Sequence, residues 1–183
     1  MTARCWEAPI RAATVPRWGT EMRRLATVVV VLLLTFCGPA TAAEWGGLTP
    51  ATSTMDSVRA KFGEPSRTET QKVDGYDTTT WIYEGTDAPT GMSRMVVDFG
   101  LLQAGGFQKN VMRSFRLEPH PGVFTRQIVL SGWGPPTGIS EQTSGDSFYY
   151  EDGLVVVFDK EAWSAVNMVF TQPRPSDRAK PSR

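Results

Sequence analysis

Cysteine is nearly absent from this chain of 183 residues: Cys5 and Cys37 are the two it has. Both precede the segment expected to fold, which can therefore form no disulfide, no thiolate metal site and no cysteine nucleophile. Histidine is scarcer still. His120 stands alone in Pro119-His120-Pro121-Gly122, a linker-like joint that offers little to a Ser–His–Asp triad or a zinc site. Asp74, Asp77, Asp146 and Asp152 fall among turn residues without the spacing of a calcium loop. Gly91, Gly100 and the Gly105-Gly106 pair do not open a helix, so they form no phosphate loop. No catalytic residue, metal or cofactor is expected.

The charges sum to zero but are unevenly placed. Residues 1–43 carry five Arg against Glu7 and Glu21, and the stretch 172–183 carries four cations against Asp177. Between them, residues 44–171 hold ten Lys/Arg and sixteen Asp/Glu. An acidic body without a basic stripe repels a phosphate backbone, which excludes a nucleic-acid partner. The Pro/Ser-rich basic end reads as a disordered tail.

Long apolar runs are also missing. Leu25 to Phe36 is an unbroken apolar stretch after Arg23-Arg24, and Gly38-Pro39 and Ala40-Thr41-Ala42-Ala43 follow it. That stretch is short of the ~20 residues that span a bilayer. A positive start, an apolar centre and an A-x-A end make the secretory pattern, so residues 1–43 are expected to be an N-terminal extension and signal peptide, with Met1 or Met22 as the start. Leu34-Thr35-Phe36-Cys37 has the Leu and Cys of a lipobox. Its Phe36 fills a place that normally needs a small residue. Membrane association is expected only through the signal anchor or through lipidation at Cys37, and the location is secreted, periplasmic or outer-membrane-associated.

Within the body one pattern occurs twice. Thr54, Val58, Phe62, Gly63, Pro65 and Ser66 recur at identical spacing as Thr125, Val129, Trp133, Gly134, Pro136 and Thr137. Thr54 and Thr125 are N-cap candidates. Val58/Phe62 and Val129/Trp133 are i,i+4 apolar pairs, Gly63 and Gly134 suit the left-handed exit, and the prolines stop continuation. Helices this short need a sheet to lean on. Strand-like segments follow in matching order: 79–84, 95–99 and 112–117, then 148–151, 154–158 and 166–170. Longer connections lie between the first set, and the glycine-rich loop 100–110 is a candidate contact. The expected fold class is α+β: two tandem helix–β-β-β repeats, with short helices packed on one face of an antiparallel sheet. The first repeat spans 44–118 and the second 119–171.

Alternation along these strands places Trp81, Tyr83, Phe148 and Tyr150 beneath the helices. It leaves Ile82, Val96, Asp98, Arg116, Tyr149, Val155, Val157, Asn167 and Val169 on the opposite side. Apolar residues with a few charges and a tyrosine suit a protein-binding face.

The run Leu48-Thr49-Pro50 through Thr54, Val58 and Phe62-Gly63-Glu64-Pro65-Ser66, followed by Trp81-Ile82-Tyr83, resembles the SmpA/OmlA small lipoproteins of the β-barrel assembly machinery. The doubled pattern is also similar to the tandem-repeat architecture of β-lactamase inhibitor protein. The resemblance implies a non-enzymatic envelope module that binds another envelope protein, related to outer-membrane assembly or scaffolding. The alternatives are a peptidase or hydrolase inhibitor, and a small-ligand carrier or enzyme using a cleft between the repeats.

Overall fold

The computed structural model describes residues 42–141 and 145–173. Most of the stretch expected to be a leader, with Met22 and Cys37, and the basic stretch from Arg174 lie outside the described residues.

Two eight-residue helices punctuate the described residues, α1 (Met55–Phe62) and α2 (Arg126–Trp133). Each begins on a threonine whose hydroxyl accepts from the amide three residues on, Thr54 from Ser57 and Thr125 from Ile128. Thr54 adds a reciprocal bond, because Ser57 Oγ accepts from its backbone N–H at 2.9 Å. Each helix ends on a glycine with positive φ but extended ψ, 80° and −162° at Gly63 and 76° and −167° at Gly134, so the exit is not the expected left-handed helical one but a region open essentially to glycine alone. Inward, Val58 and Val129 are wholly buried, which at ~1.5–3 kcal/mol each does more for helix stability than eight-residue propensity can.

The strands are β1 (Arg67–Val73), β2 (Tyr76–Glu84), β3 (Met92–Gln103), β4 (Gly106–Pro119), β5 (Gly138–Ser140), β6 (Ser147–Tyr149), β7 (Leu154–Phe158) and β8 (Ala165–Phe170). They form one antiparallel sheet in the order β1-β2-β3-β4-β8-β7-β6-β5. This overturns the expected pair of helix–β-β-β repeats. The molecule is sheet-dominated, four strands follow each helix, and β4 pairs with β8 through Phe115↔Phe170, Arg116↔Val169 and Leu117↔Met168. That pairing joins the stretches 44–118 and 119–171 edge to edge, and the core runs unbroken beneath both. Phe115 and Phe170 stack across the seam at 4.4 Å between centroids.

Two strands have no counterpart in the sequence reading, for a physical reason. β1, Arg67-Thr68-Glu69-Thr70-Gln71-Lys72-Val73, has one apolar residue and so shows no alternation. Mixed charge is what an unpaired edge needs to resist pairing with another chain. β5 is three residues long at the other edge. The expected loop 100–110 is also corrected. β3 continues to Gln103 and β4 resumes at Gly106, so the segment is a tight hairpin. Gly100 sits where the β3–β4 register shifts, at φ 102°, and a Cβ there would stand 2.9 Å from Thr78 Cγ2. It permits a bulge rather than a mobile loop.

Candidate functional site

The nine residues nominated for the binding face do share one side of the sheet, and six of them form a single cross-strand row. The register runs Ile82↔Val96↔Arg116↔Val169↔Val155↔Tyr149, one residue per strand from β2 to β6. Asp98 lies one step along, accepting from Thr80 Oγ1 at 2.7 Å and from Ser114 Oγ at 3.2 Å. Val157 pairs with Asn167 on the other side of the row. The row is not uniformly open, however. Ile82 and Val96 are 2% and 7% exposed, and Arg67 and Arg116 flank them in register, long side chains whose stems can shield apolar neighbours. The accessible end is Arg116, Tyr149 at 39% exposure and the half-buried Val155 and Val169. A depression of about 250 Å3 lies there, lined by Tyr149, Tyr150, Gly153, Val155, Val169 and Thr171.

A second feature lies on the helix side. A cleft of about 720 Å3 is bounded by Thr125, Gln127, Leu130 and Ser131 of the α2 segment and by Glu161, Ala162 and Trp163 of the β7–β8 turn. Trp163 is 59% exposed, the most open of the large apolar side chains described. Its support is rigid. Asp159 caps the turn, accepting from Trp163 N at 2.8 Å and Ser164 N at 3.1 Å. Ala162 takes φ 53°, a left-handed conformation unusual for alanine, and strain of this kind persists only where the surroundings enforce it. The indole lies against Gly122, where a Cβ would be 3.7 Å from the ring, and Gly122 N donates to Ser164 Oγ at 2.8 Å. Leu130, 38% exposed, is the apolar wall of the cleft on α2, and Ile128, 46% exposed, lies on another flank of the same helix.

Arg126, at the foot of this cleft, is already occupied. Its guanidinium donates to Asp146 Oδ2 at 2.7 Å and lies 4.6 Å from the Phe148 ring centroid. That makes it a brace rather than a free cation. The same holds for the titrating groups displaced from their ordinary range. Burial, reinforced by the Glu64 carboxylate and opposed by Arg59, pushes the Tyr83 phenol up to about 12. Burial and then Asp152 raise Tyr150. Each hydroxyl donates to the carbonyl of a helix-ending glycine, Tyr83 to Gly63 at 3.1 Å and Tyr150 to Gly134 at 3.2 Å. A phenol held protonated in that role is a structural peg and a poor general base. His120 is exposed, and its backbone N–H donates to Gly91 O at 2.9 Å. Among the described residues no group of three His, Cys, Asp or Glu gathers as metal ligands would.

Trp163 escaped the sequence reading because it stands in a polar turn, Asp159-Lys160-Glu161-Ala162-Trp163-Ser164. The available signal was the mismatch itself: a strand connection needs no indole, and tryptophan in a turn is a candidate contact residue.

No family model matches this chain, and no curated protein matches it. Among solved structures, a DUF4309 family protein (YjgB) from Bacillus subtilis subsp. subtilis str. 168 aligns at 18% sequence identity over 73% of this chain and 88% of that one, with a TM-score of 0.44.

Proposed function

We propose that this protein is an exported, non-enzymatic protein-binding module of the cell envelope, and that its contact surface is the cleft between α2 and the β7–β8 turn. The observation that carries this reading is Trp163, an indole left open on a backbone pinned by Asp159 and a left-handed Ala162. Tryptophan is the residue most enriched among binding hot spots, and an anchor held rigid before binding loses little entropy when its partner arrives. The partner has a definable chemistry: an apolar side chain entering between Leu130 and Trp163, with hydrogen-bonding groups meeting Gln127, Ser131 and Glu161 at the rim. The cleft belongs wholly to residues 125–163, so it is not the inter-repeat pocket that a small-ligand carrier would use. The leader pattern and the resemblance of residues 48–66 to envelope lipoproteins support the envelope as the setting.

A second reading keeps the sheet face, favoured by the depression beside Tyr149. A photo-cross-linking residue placed singly at 131, 149 and 61 in the producing cell separates the two. The expected result is one discrete adduct from the cleft-rim position 131, none from the polar helix position 61, and loss of partner co-purification in Trp163→Ala. An adduct from 149 alone moves the site to the sheet. Adducts of equal pattern from all three positions sink the binding reading.

A further inference from the structure

We infer that the leader is removed between Ala42 and Ala43, and that the new N-terminal residue is itself part of the folded core. The inference rests on the export reading and refines it. The sequence reading ends the leader at residue 43, within the small-residue run Ala40-Thr41-Ala42-Ala43. The structure divides that stretch sharply. Ala43 is 4% exposed and belongs to the main core cluster, and its N–H donates to Asp152 O at 2.9 Å in the turn that links β6 to β7. The residues that follow continue inward. Trp45 stacks on Phe62 at 6.1 Å with the rings nearly parallel, and Leu48 is buried. Ala51 N donates to Met112 O at 2.8 Å, and Met112 N returns a bond to Ser53 O at 2.8 Å.

Residues 43–53 are thus a strap, tied at its start to the β6–β7 turn and at its end to β4. A cut after Ala43 would discard a core side chain and the strap's first hydrogen bond. A cut after Ala42 leaves both and places Ala40 and Ala42 at the two positions where the leader peptidase demands small side chains. The alternative register would put Thr41 at the outer of those positions. Hydrolysis at this bond turns the Ala43 amide into an ammonium group facing the Asp152 carbonyl. The 2.9 Å contact then becomes a charge-assisted hydrogen bond, stronger than the amide bond it replaces.

The test is N-terminal sequencing with intact mass on the full-length gene product recovered from the envelope or medium. The expected start is Ala43-Glu44-Trp45-Gly46. A start at Glu44 overturns this inference while leaving export standing. An uncut chain, or one beginning at a lipid-bearing Cys37, overturns the cleaved-leader reading and this inference with it. Thermal unfolding of chains that begin at Ala43 and at Glu44 supplies an independent measurement. The shorter chain is expected to melt a few degrees lower, and coincident curves would mean that Ala43 does nothing in the fold.

Discussion

The two helices do the same internal work and present different surfaces. Both start on a threonine cap, bury a valine completely and stop on a glycine whose carbonyl receives a tyrosine hydroxyl. Beneath each lies an edge-to-face aromatic pair, Trp81–Phe99 at 4.8 Å and 65° and Phe148–Phe158 at 4.8 Å and 67°. An arginine covers the outer ring in both, Arg59 over Trp81 at 4.9 Å and Arg126 over Phe148 at 4.6 Å. Outward, α1 shows Asp56, Ser57, Arg59 and Lys61, with Arg59 Nε 2.7 Å from Glu64 Oε1. α2 shows Gln127, Ile128, Leu130 and Ser131. Since α1 demonstrates that a polar exterior satisfies the packing, the apolar exterior of α2 is not required by the fold. Something else selects it.

The comparison is broken most severely at the seam. If the halves are parts of one sheet, removing Phe170 from the Phe115–Phe170 stack costs both at once. Phe170→Ala is expected to destabilise by about 3–5 kcal/mol, the range for deleting a buried phenylalanine. Calorimetry should show a single transition that moves as a whole. Two separated transitions would show that the halves melt independently and that β4–β8 is a mere contact.

The tyrosine pegs come next. Tyr83 is raised in the folded protein, so the fold holds a proton that the unfolded chain gives up. Stability is full below the ordinary phenol value of 10.0 and falls as pH climbs toward about 12, because the unfolded chain then binds fewer protons than the native one. At 1.36 kcal/mol per pH unit the loss across that window is about 2–3 kcal/mol. Denaturant titrations at pH 9 and pH 11.5 measure it. Tyr83→Phe should flatten the alkaline dependence while costing about 1 kcal/mol for the lost bond to Gly63. An unchanged alkaline slope in that variant would assign the effect elsewhere, with Tyr150 the first candidate.

Smaller effects are expected at the caps. Thr54→Ala and Thr125→Ala should each cost about 1 kcal/mol. The return bond to Ser57 Oγ is donated by the Thr54 backbone N–H and survives Thr54→Ala, so the two losses should match, while Ser57→Ala should cost stability by removing that acceptor. An unmoved denaturant midpoint in Ser57→Ala would mean that this return bond adds nothing.

What could be read in advance follows from which residues had to be apolar. Val58, Phe62, Val129 and Trp133 declare the helices because each must bury one edge, and the glycine and proline exits follow from backbone sterics. The strands of the core show in Trp81-Ile82-Tyr83 and Leu154 to Phe158, where the inward side chains are large. β1 was illegible because an edge strand is stabilised by its neighbour and protected by its own charge, which erases the alternation. The Asp74-Gly75 pair was the surviving hint, since Asp74 at φ 51° and Gly75 at φ 85° make the hairpin turn to β2. Joining four strands to four across β4 and β8 depends on pairings more than fifty residues apart in sequence, which no local pattern announces. The candidate site divides the same way. Alternation correctly assigns Tyr149, Val155 and Val169 to one face, but it cannot reveal that Ile82 and Val96 are closed over by their neighbours.

The finest test exchanges the helix exteriors and leaves the interiors alone. Ile128→Arg with Leu130→Lys gives α2 the kind of surface α1 has, and Trp163→Ala removes the anchor beside it. All three sites are well exposed, so each change should move stability by no more than about 0.5 kcal/mol. Binding should respond quite differently, with partner recovery and the adduct from position 131 lost together. The converse change, Ala60→Leu with Lys61→Leu, makes α1 apolar outside while leaving Arg59 over Trp81, and tests whether a greasy helix suffices. It should create no partner, because α1 has no counterpart of the Asp159-capped turn to set an indole across from it. Recovery of the same partner by the α1 variant would show that the cleft contributes no specificity. Loss of folding in the α2 variant would show that its outer face is structural after all, and the contrast between the two helices would then say nothing about binding.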